Sequence, residues 1–203
     1  HRLWIQGALA LVVAHPDESH AKEVVRTFQQ RMKRFVSDRD FIDMLRVVQV
    51  AAHRGAIDPD SLTGFRDALA EEFPAGHAVM NRELVRLLIY LQADSILDRY
   101  LDYLDADVSD VDKLHLALNL RFLESGWTAD QRYRVLRFLE DSQSAMGGNS
   151  LAHYVKNVTR DFVKQLSPEQ TERILRDGHQ LPNAALGVLY RLPLELDEQT
   201  LEL

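Results

Sequence analysis

The chain has 203 residues, with 24 lysines and arginines, 31 aspartates and glutamates, and no cysteine. Without cysteine it cannot form a disulfide, a thiolate zinc site, an iron–sulfur cluster or a covalent C-x-x-C-H haem attachment. Its formal net charge of −7 argues against general binding to nucleic acids or anionic membranes, because both partners are polyanions.

Apolar residues recur with helical spacing from one end of the chain to the other, and no strict alternation predicts a strand. Residues that favour helix starts stand between these stripes. They predict helix caps near residues 19, 37, 58, 77, 94, 109, 128, 149, 167, 181 and 197. One helix and its turn therefore recurs roughly every 18 residues.

Several of these predicted helix ends carry specific end signals. Asp58 precedes a proline, and both Thr128 and Ser167 are followed three residues later by glutamine, which is the capping-box spacing. Glycines follow three predicted helix ends, where we expect a left-handed backbone: Gly55, Gly126 and Gly178.

Short turns make neighbouring helices antiparallel, and a pair of them spans about 36 to 40 residues, close to the period of HEAT and armadillo repeats. We therefore predict an all-α fold, an α-solenoid of about eleven or twelve helices in HEAT-like antiparallel pairs. Residues 1–203 are predicted to form a single helical-repeat domain, with a closed all-α bundle as the competing architecture. The predicted helix 109–124 has two apolar stripes, so we expect neighbours on both of its faces.

The ends of the sequence look cut. The chain begins at His1 without an initiator methionine and stops at Leu203 within an apolar pattern. We expect it to be a piece excised from a longer multidomain polypeptide.

Charged clusters are the main candidates for a site. Aspartates are frequent between residues 94 and 112, but the calcium-loop pattern that starts at Asp105 lacks the required glycine and the final glutamate. A solvated acidic face that ends in a cap at Ser109 is therefore expected. The histidines do not have metal-ligand spacing, and no sequence motif of a catalytic site is present. We predict no catalytic, cofactor-binding or metal-binding residue in this segment.

Four short runs resemble a known protein family. They are Gly126-Trp127-Thr128-Ala129-Asp130-Gln131-Arg132, Gly147-Gly148-Asn149-Ser150 and Asn157-Val158-Thr159-Arg160-Asp161, preceded by Asn81-Arg82-Glu83-Leu84-Val85-Arg86-Leu87-Leu88. Together they are similar to the helical-repeat region of large multidomain c-type cytochromes, or membrane-bound dehydrogenase-like proteins, of planctomycete-type bacteria. The similarity covers about half of the chain, from residue 81 to residue 175.

The resemblance implies a non-catalytic scaffold or protein-interaction module in a secreted redox protein, in the periplasm or cell envelope. The module would lie between a dehydrogenase-like β-propeller and a cytochrome c domain, and haem c would be held only by that neighbouring domain. Expected partners are domains of the same chain or a redox partner, without nucleic acid or membrane insertion. Residues proposed to form the interaction surface are Trp127, Arg132, Arg137, Asn149, Lys156 and Arg160.

Alternative functions stay open at this point. The chain could be a stand-alone helical adaptor of another pathway, including a DNA-repair-type helical repeat, which would need a basic concave face. A helical enzyme with a small-molecule pocket is the other alternative, and it would need histidine and carboxylate side chains converging in a deep pocket.

Overall fold

The computed structural model describes residues 1–145 and 149–192, with only the backbone described for residues 144, 145 and 149. Every regular element within this part of the chain is helical, which confirms the predicted all-α class. Its α-helices are α1 Arg2–Ala14, α2 Glu18–Met32, α3 Asp38–Arg54, α4 Thr63–Ala70, α5 Ala78–Tyr90, α6 Leu97–Asp105, α7 Asp110–Asn119, α8 Ala129–Ala145, α9 Asn149–Val163, α10 Pro168–Arg176 and α11 Pro182–Leu189. Short 3-10 helices cover Pro59–Leu62, Asp94–Ile96 and Leu120–Phe122.

Side-chain caps start several helices at the predicted positions. The Ser37, Asp58 and Ser109 side chains each accept a hydrogen bond from a backbone N–H two or three residues later. Both predicted capping boxes form, at Thr128 with Gln131 and at Ser167 with Gln170. These local interactions set the helix starts because they satisfy N–H groups that have no partner within the helix. The predicted cap near residue 197 lies outside the described residues.

The expected left-handed backbone is wrong for two of the three glycines, Gly55 and Gly178. Gly126 has a left-handed backbone, with φ of 81°, but Gly55 has φ of −80° and the positive φ falls on Ala56. A Cβ atom at Gly55 would lie 2.4 Å from the Cβ of Ala21. Glycine at residue 55 thus permits the close approach of α2 to the end of α3. Gly178 likewise does not have a left-handed backbone. A Cβ atom at Gly178 would lie 3.3 Å from the Cβ of Ala185.

The chain divides into two compact units, residues 1–100 and residues 101–203. The division falls within α6, after Tyr100. The proposed single repeat domain over residues 1–203 stays a prediction, as does the solenoid arrangement of its helices.

Helix α3 forms the centre of the first unit, where it packs against α1, α2 and α5. Its side chains Met44, Leu45 and Val48 are fully buried. They belong to the apolar stripe with helical spacing along residues 41–52. Phe28 of α2 stacks near Phe41 of α3, with ring centroids 5.6 Å apart. Burial of these large side chains is the main source of stability in this unit.

A buried carboxylate joins α3 to α5 in the first unit. Glu83 of α5 is 4% exposed and accepts hydrogen bonds from Arg46 Nε and Gln49 Nε2 of α3, at 3.0 and 3.1 Å. Arg86, one turn later on α5, also donates to it at 3.0 Å. Burial alone would raise the pKa of Glu83, but the hydrogen bonds from Gln49 and Arg46 and the charge of Arg86 hold it below its ordinary value.

In the second unit, α9 packs against α8 and α11. Its side chains Val155, Val158 and Phe162 are fully buried. Thr159 is also fully buried, and its hydroxyl donates to the Val155 carbonyl oxygen at 3.0 Å. This internal hydrogen bond lets a polar residue occupy the apolar face of the helix.

Candidate interaction surface

One of the two apolar stripes in residues 109–124 is exposed at both of its ends. Leu116, Leu120 and Leu123 are fully buried, as expected. However, Val111 is 67% exposed and Phe122 is 54% exposed. Between them the second stripe is buried at Leu114 and half-buried at Leu118. The expectation of neighbours on both faces therefore holds for the middle of this segment and is wrong at the two ends of the second stripe.

An arginine lies between two exposed aromatic rings next to that stripe. The guanidinium carbon of Arg121 lies 4.6 Å from the ring centre of Phe122 and 5.7 Å from that of Tyr154 on α9. Its Nη2 donates to the Tyr154 hydroxyl at 3.5 Å, and its Nη1 lies 3.7 Å from a carboxylate oxygen of Asp161. We call the group Arg121, Phe122 and Tyr154 the α7–α9 surface.

The α7–α9 surface combines side chains that commonly dominate protein–protein binding energy. Tyrosine and arginine are enriched at binding hot spots, and phenylalanine is enriched at interfaces. Cation–π contacts and the ion pair with Asp161 hold the Arg121 side chain, whose exposed fraction is 16%. A side chain that is already ordered loses less conformational entropy when a partner covers it. The surface is thus suited to binding a partner with an apolar patch and a hydrogen-bond acceptor.

None of these three residues was among the candidates from the sequence. The signal that could have found Phe122 is its place at the end of the second apolar stripe. Tyr154 comes to it from α9, which is a contact that helical periodicity cannot predict.

The Gly-Trp-Thr motif instead organises the start of α8. Trp127 donates its indole N–H to the Leu123 carbonyl oxygen at 2.8 Å and packs edge-to-face on Phe162, with ring centroids 5.3 Å apart. Arg132 is only 7% exposed, and its guanidinium carbon lies 5.4 Å from the Trp127 ring and 5.7 Å from the Phe162 ring. The two motif residues therefore stabilise the contact between α8 and α9, and Arg132 is buried rather than on the surface.

The other sequence candidates are scattered. Arg137 is exposed and donates to Gln180 at 2.9 Å. Arg160 is exposed and lies 5.6 Å from the ring centre of Tyr190, and Lys156 is exposed one turn before it. The side chain of Asn149 lies outside the described residues. These cations are not brought together with Trp127 and Arg132 into one surface by any contact among the described side chains.

The acidic stretch is exposed as predicted except at Asp112, which is buried. Asp102 and Asp105 are exposed, and both pair with Arg134 of α8. Ser109 caps α7, as expected. Among the described residues, no group of three or more histidine, aspartate or glutamate side chains has an arrangement that could hold a metal ion.

Comparisons of the chain with protein-family models, with curated proteins and with solved structures find no match. Within the described residues, no helix has both the length and the apolar character needed to cross a bilayer.

Proposed function

We propose that this chain is a non-catalytic helical module that binds another protein through the α7–α9 surface. The observation that carries this proposal is the exposure of Phe122 and Tyr154 on either side of the Arg121 side chain, which their rings and Asp161 hold in place. Apolar surface left in water is unfavourable, and a partner that covers it gains about 25 cal/mol for each Å² buried. An aromatic patch of this kind is a recognised mark of an interaction site.

We further propose that the module belongs to a secreted redox protein, in the periplasm or cell envelope, between a dehydrogenase-like propeller and a cytochrome c domain. The sequence resemblance supports this assignment, and haem would be held by the neighbouring domain because this chain has no cysteine. The partner of the α7–α9 surface would then be another domain of that polypeptide or its redox partner.

We also propose that the helices form HEAT-like antiparallel pairs. Packing between helices two apart in sequence supports this arrangement within each unit: α1 packs on α3, α3 on α5, and α9 on α11. Such packing is typical of stacked helix pairs, in which each pair covers the apolar face of the next.

The proposed binding can be tested with a pair of substitutions on the surface. We expect Phe122→Ser combined with Tyr154→Ser to weaken binding to the cytochrome c or propeller domain about 30-fold or more, because losing a hot-spot aromatic costs about 2 kcal/mol or more. Isothermal titration with separately purified domains measures this change. Circular dichroism would establish that the variant keeps its helical content.

Phe35→Ser is the matched control. Phe35 is an aromatic residue of the first unit that is 91% exposed, so its substitution removes exposed apolar area away from the proposed surface. We expect it to leave the affinity unchanged. Equal affinities for the double variant and the unmodified chain would contradict the proposed role of the α7–α9 surface.

A further inference from the structure

A cavity of about 220 Å³ lies between α8 and α10 in the second unit. Apolar side chains of Leu136, Leu166 and Ile174 form part of its lining. An engineered apolar cavity of about 150 Å³ is known to hold benzene. This cavity therefore has room for a benzene-sized group that carries a short polar substituent.

Arg132 lines the same cavity, and its positive charge has only neutral partners among the described residues. Its Nη1 donates to the Gln165 side-chain oxygen at 3.2 Å, and its Nη2 donates to the Glu124 carbonyl oxygen at 3.4 Å. Burial lowers the pKa of this guanidinium from its ordinary value, although arginine remains protonated in proteins. A buried cation without a carboxylate favours the entry of an anion.

The other two charged groups on the cavity lining already have partners. Arg173 pairs with Asp130 at 2.8 Å and stacks on Tyr133, with its guanidinium carbon 4.4 Å from the ring centre. The Glu169 carboxylate accepts a hydrogen bond from the Ser167 hydroxyl at 2.7 Å, and this bond lowers its pKa, so it stays ionised and a bound anion must lie away from it. Of the two arginines on the lining, Arg132 is the one without a carboxylate partner, and an incoming carboxylate would neutralise it.

We propose that this cavity binds a carboxylate attached to an apolar group of roughly six to eight carbons. The carboxylate contacts Arg132, and the apolar group contacts Leu136 and Ile174. This chemistry is found in small aromatic and branched aliphatic acids and in the C-terminal residue of a peptide. The lining shares no residue with the α7–α9 surface, and the proposal for this cavity does not rest on the proposed protein binding.

The test is a titration of the 203-residue chain with phenylacetate, followed by NMR of the leucine and isoleucine methyl groups. We expect the methyl signals of Leu136, Leu166 and Ile174 to shift, with a Kd of about 1 mM. Phenylacetamide has the same shape without the charge, and we expect it to bind about tenfold more weakly. N-acetylglycyl-phenylalanine distinguishes the two sources of such a carboxylate. If it binds more tightly than phenylacetate, the natural ligand is a peptide C-terminus, and if it binds more weakly, the natural ligand is a small acid.

Two variants and a control separate the effect of the Arg132 charge from the effect of the cavity volume. We expect Arg132→Gln to weaken phenylacetate binding about tenfold while changing phenylacetamide binding less than about twofold, since only the first ligand carries a charge. Ala129→Leu, at an exposed position on the cavity lining, fills the site and should weaken both ligands without depending on the Arg132 contacts. Lys156→Gln on α9, an exposed cation that is not part of the lining, should change neither affinity.

Some outcomes would overturn the proposal. Absence of shifts at these three methyl positions up to about ten times the expected Kd would show that the cavity does not take this ligand. Equal affinities for phenylacetate and phenylacetamide would remove the role of Arg132. Neither result would change the expectation for Phe122 and Tyr154, so failure here is distinguishable from failure of the proposed protein binding.

Discussion

Removing the carboxylate of Glu83 tests the connection between α3 and α5. One arginine from each helix donates to this carboxylate, Arg46 from α3 and Arg86 from α5, each at 3.0 Å. Gln49 of α3 also donates to it, at 3.1 Å. The side chain of Glu83 is 6% exposed, whereas those of Arg46 and Arg86 are 52% and 43% exposed. Solvent therefore screens the two ion pairs, and their contribution is smaller than that of a fully buried pair.

From these contacts we expect Glu83→Ala to lower the free energy of unfolding by about 3 kcal/mol. Loss of the hydrogen bonds to charged partners accounts for part of this change. The rest comes from the space left by the side chain and from the Gln49 amide, which keeps only its bond to the Glu83 carbonyl oxygen. Glu83→Gln keeps the shape and one hydrogen bond, so it should cost about 1 kcal/mol. Since each 1 kcal/mol shifts the Tm of a chain of this size by roughly 2–4 °C, Glu83→Ala should lower the Tm by about 6–12 °C.

The effect should also depend on pH, and its sign follows from the direction of the pKa change. The folded-state pKa of Glu83 lies below 4.5, so ionised Glu83 stabilises the folded state at neutral pH, above the unfolded-state pKa. That stabilisation is lost as the pH falls through the folded-state pKa. The difference in stability between the unmodified chain and Glu83→Gln should therefore be largest near neutral pH and should shrink below about pH 4.

Thermal and urea unfolding followed by circular dichroism measure both effects. Glu71→Gln is the control, because Glu71 is exposed at the end of α4 and its substitution should change stability by less than about 0.5 kcal/mol. If Glu83→Ala unfolded at the same temperature as this control, the carboxylate would not connect α3 with α5. A difference between the unmodified chain and Glu83→Gln that stayed constant from pH 7 to about pH 3 would refute the assigned charge interactions.

Two further substitutions test local features of the fold. Gly55→Ala places a Cβ atom 2.4 Å from that of Ala21, so we expect a loss of about 2 kcal/mol in urea unfolding. Ala21→Gly in the same chain should recover part of that loss, and no recovery would argue against this contact as the cause. Ser167→Ala removes a complete capping box and should cost about 1 kcal/mol, with loss of helical content measured by circular dichroism. An unchanged stability would show that the adjacent Pro168 alone fixes the start of α10.

The helix starts were predictable because their causes are local. A serine, threonine or aspartate cap acts on N–H groups two or three residues away, so Ser37, Asp58, Ser109 and Ser167 marked helix starts from sequence alone. Gly55 shows the limit of this reasoning. Its position after a helix suggested a left-handed backbone, but the residue is required by a contact with Ala21 of another helix, and sequence spacing cannot predict that contact.

The candidate surface was not predictable because burial depends on which elements meet. Both apolar stripes in residues 109–124 look suited to a core, and the stripe with Leu116, Leu120 and Leu123 is buried throughout. Val111 and Phe122, at the two ends of the other stripe, are exposed. Arg132 shows the opposite error. Charge suggested an exposed residue, but Trp127 and Phe162 cover its guanidinium, since arginine can stack on aromatic rings inside a protein.

The central claim is that a protein partner covers the α7–α9 surface, and site-specific crosslinking tests it most directly. A photoreactive p-benzoylphenylalanine would be placed at position 122 of the full polypeptide, expressed in its native organism, and at position 35 as the control. We predict a crosslinked peptide from a haem-bearing domain or from a redox partner, formed from position 122 and not from position 35. Crosslinking from position 122 no greater than that from position 35 would contradict the claim.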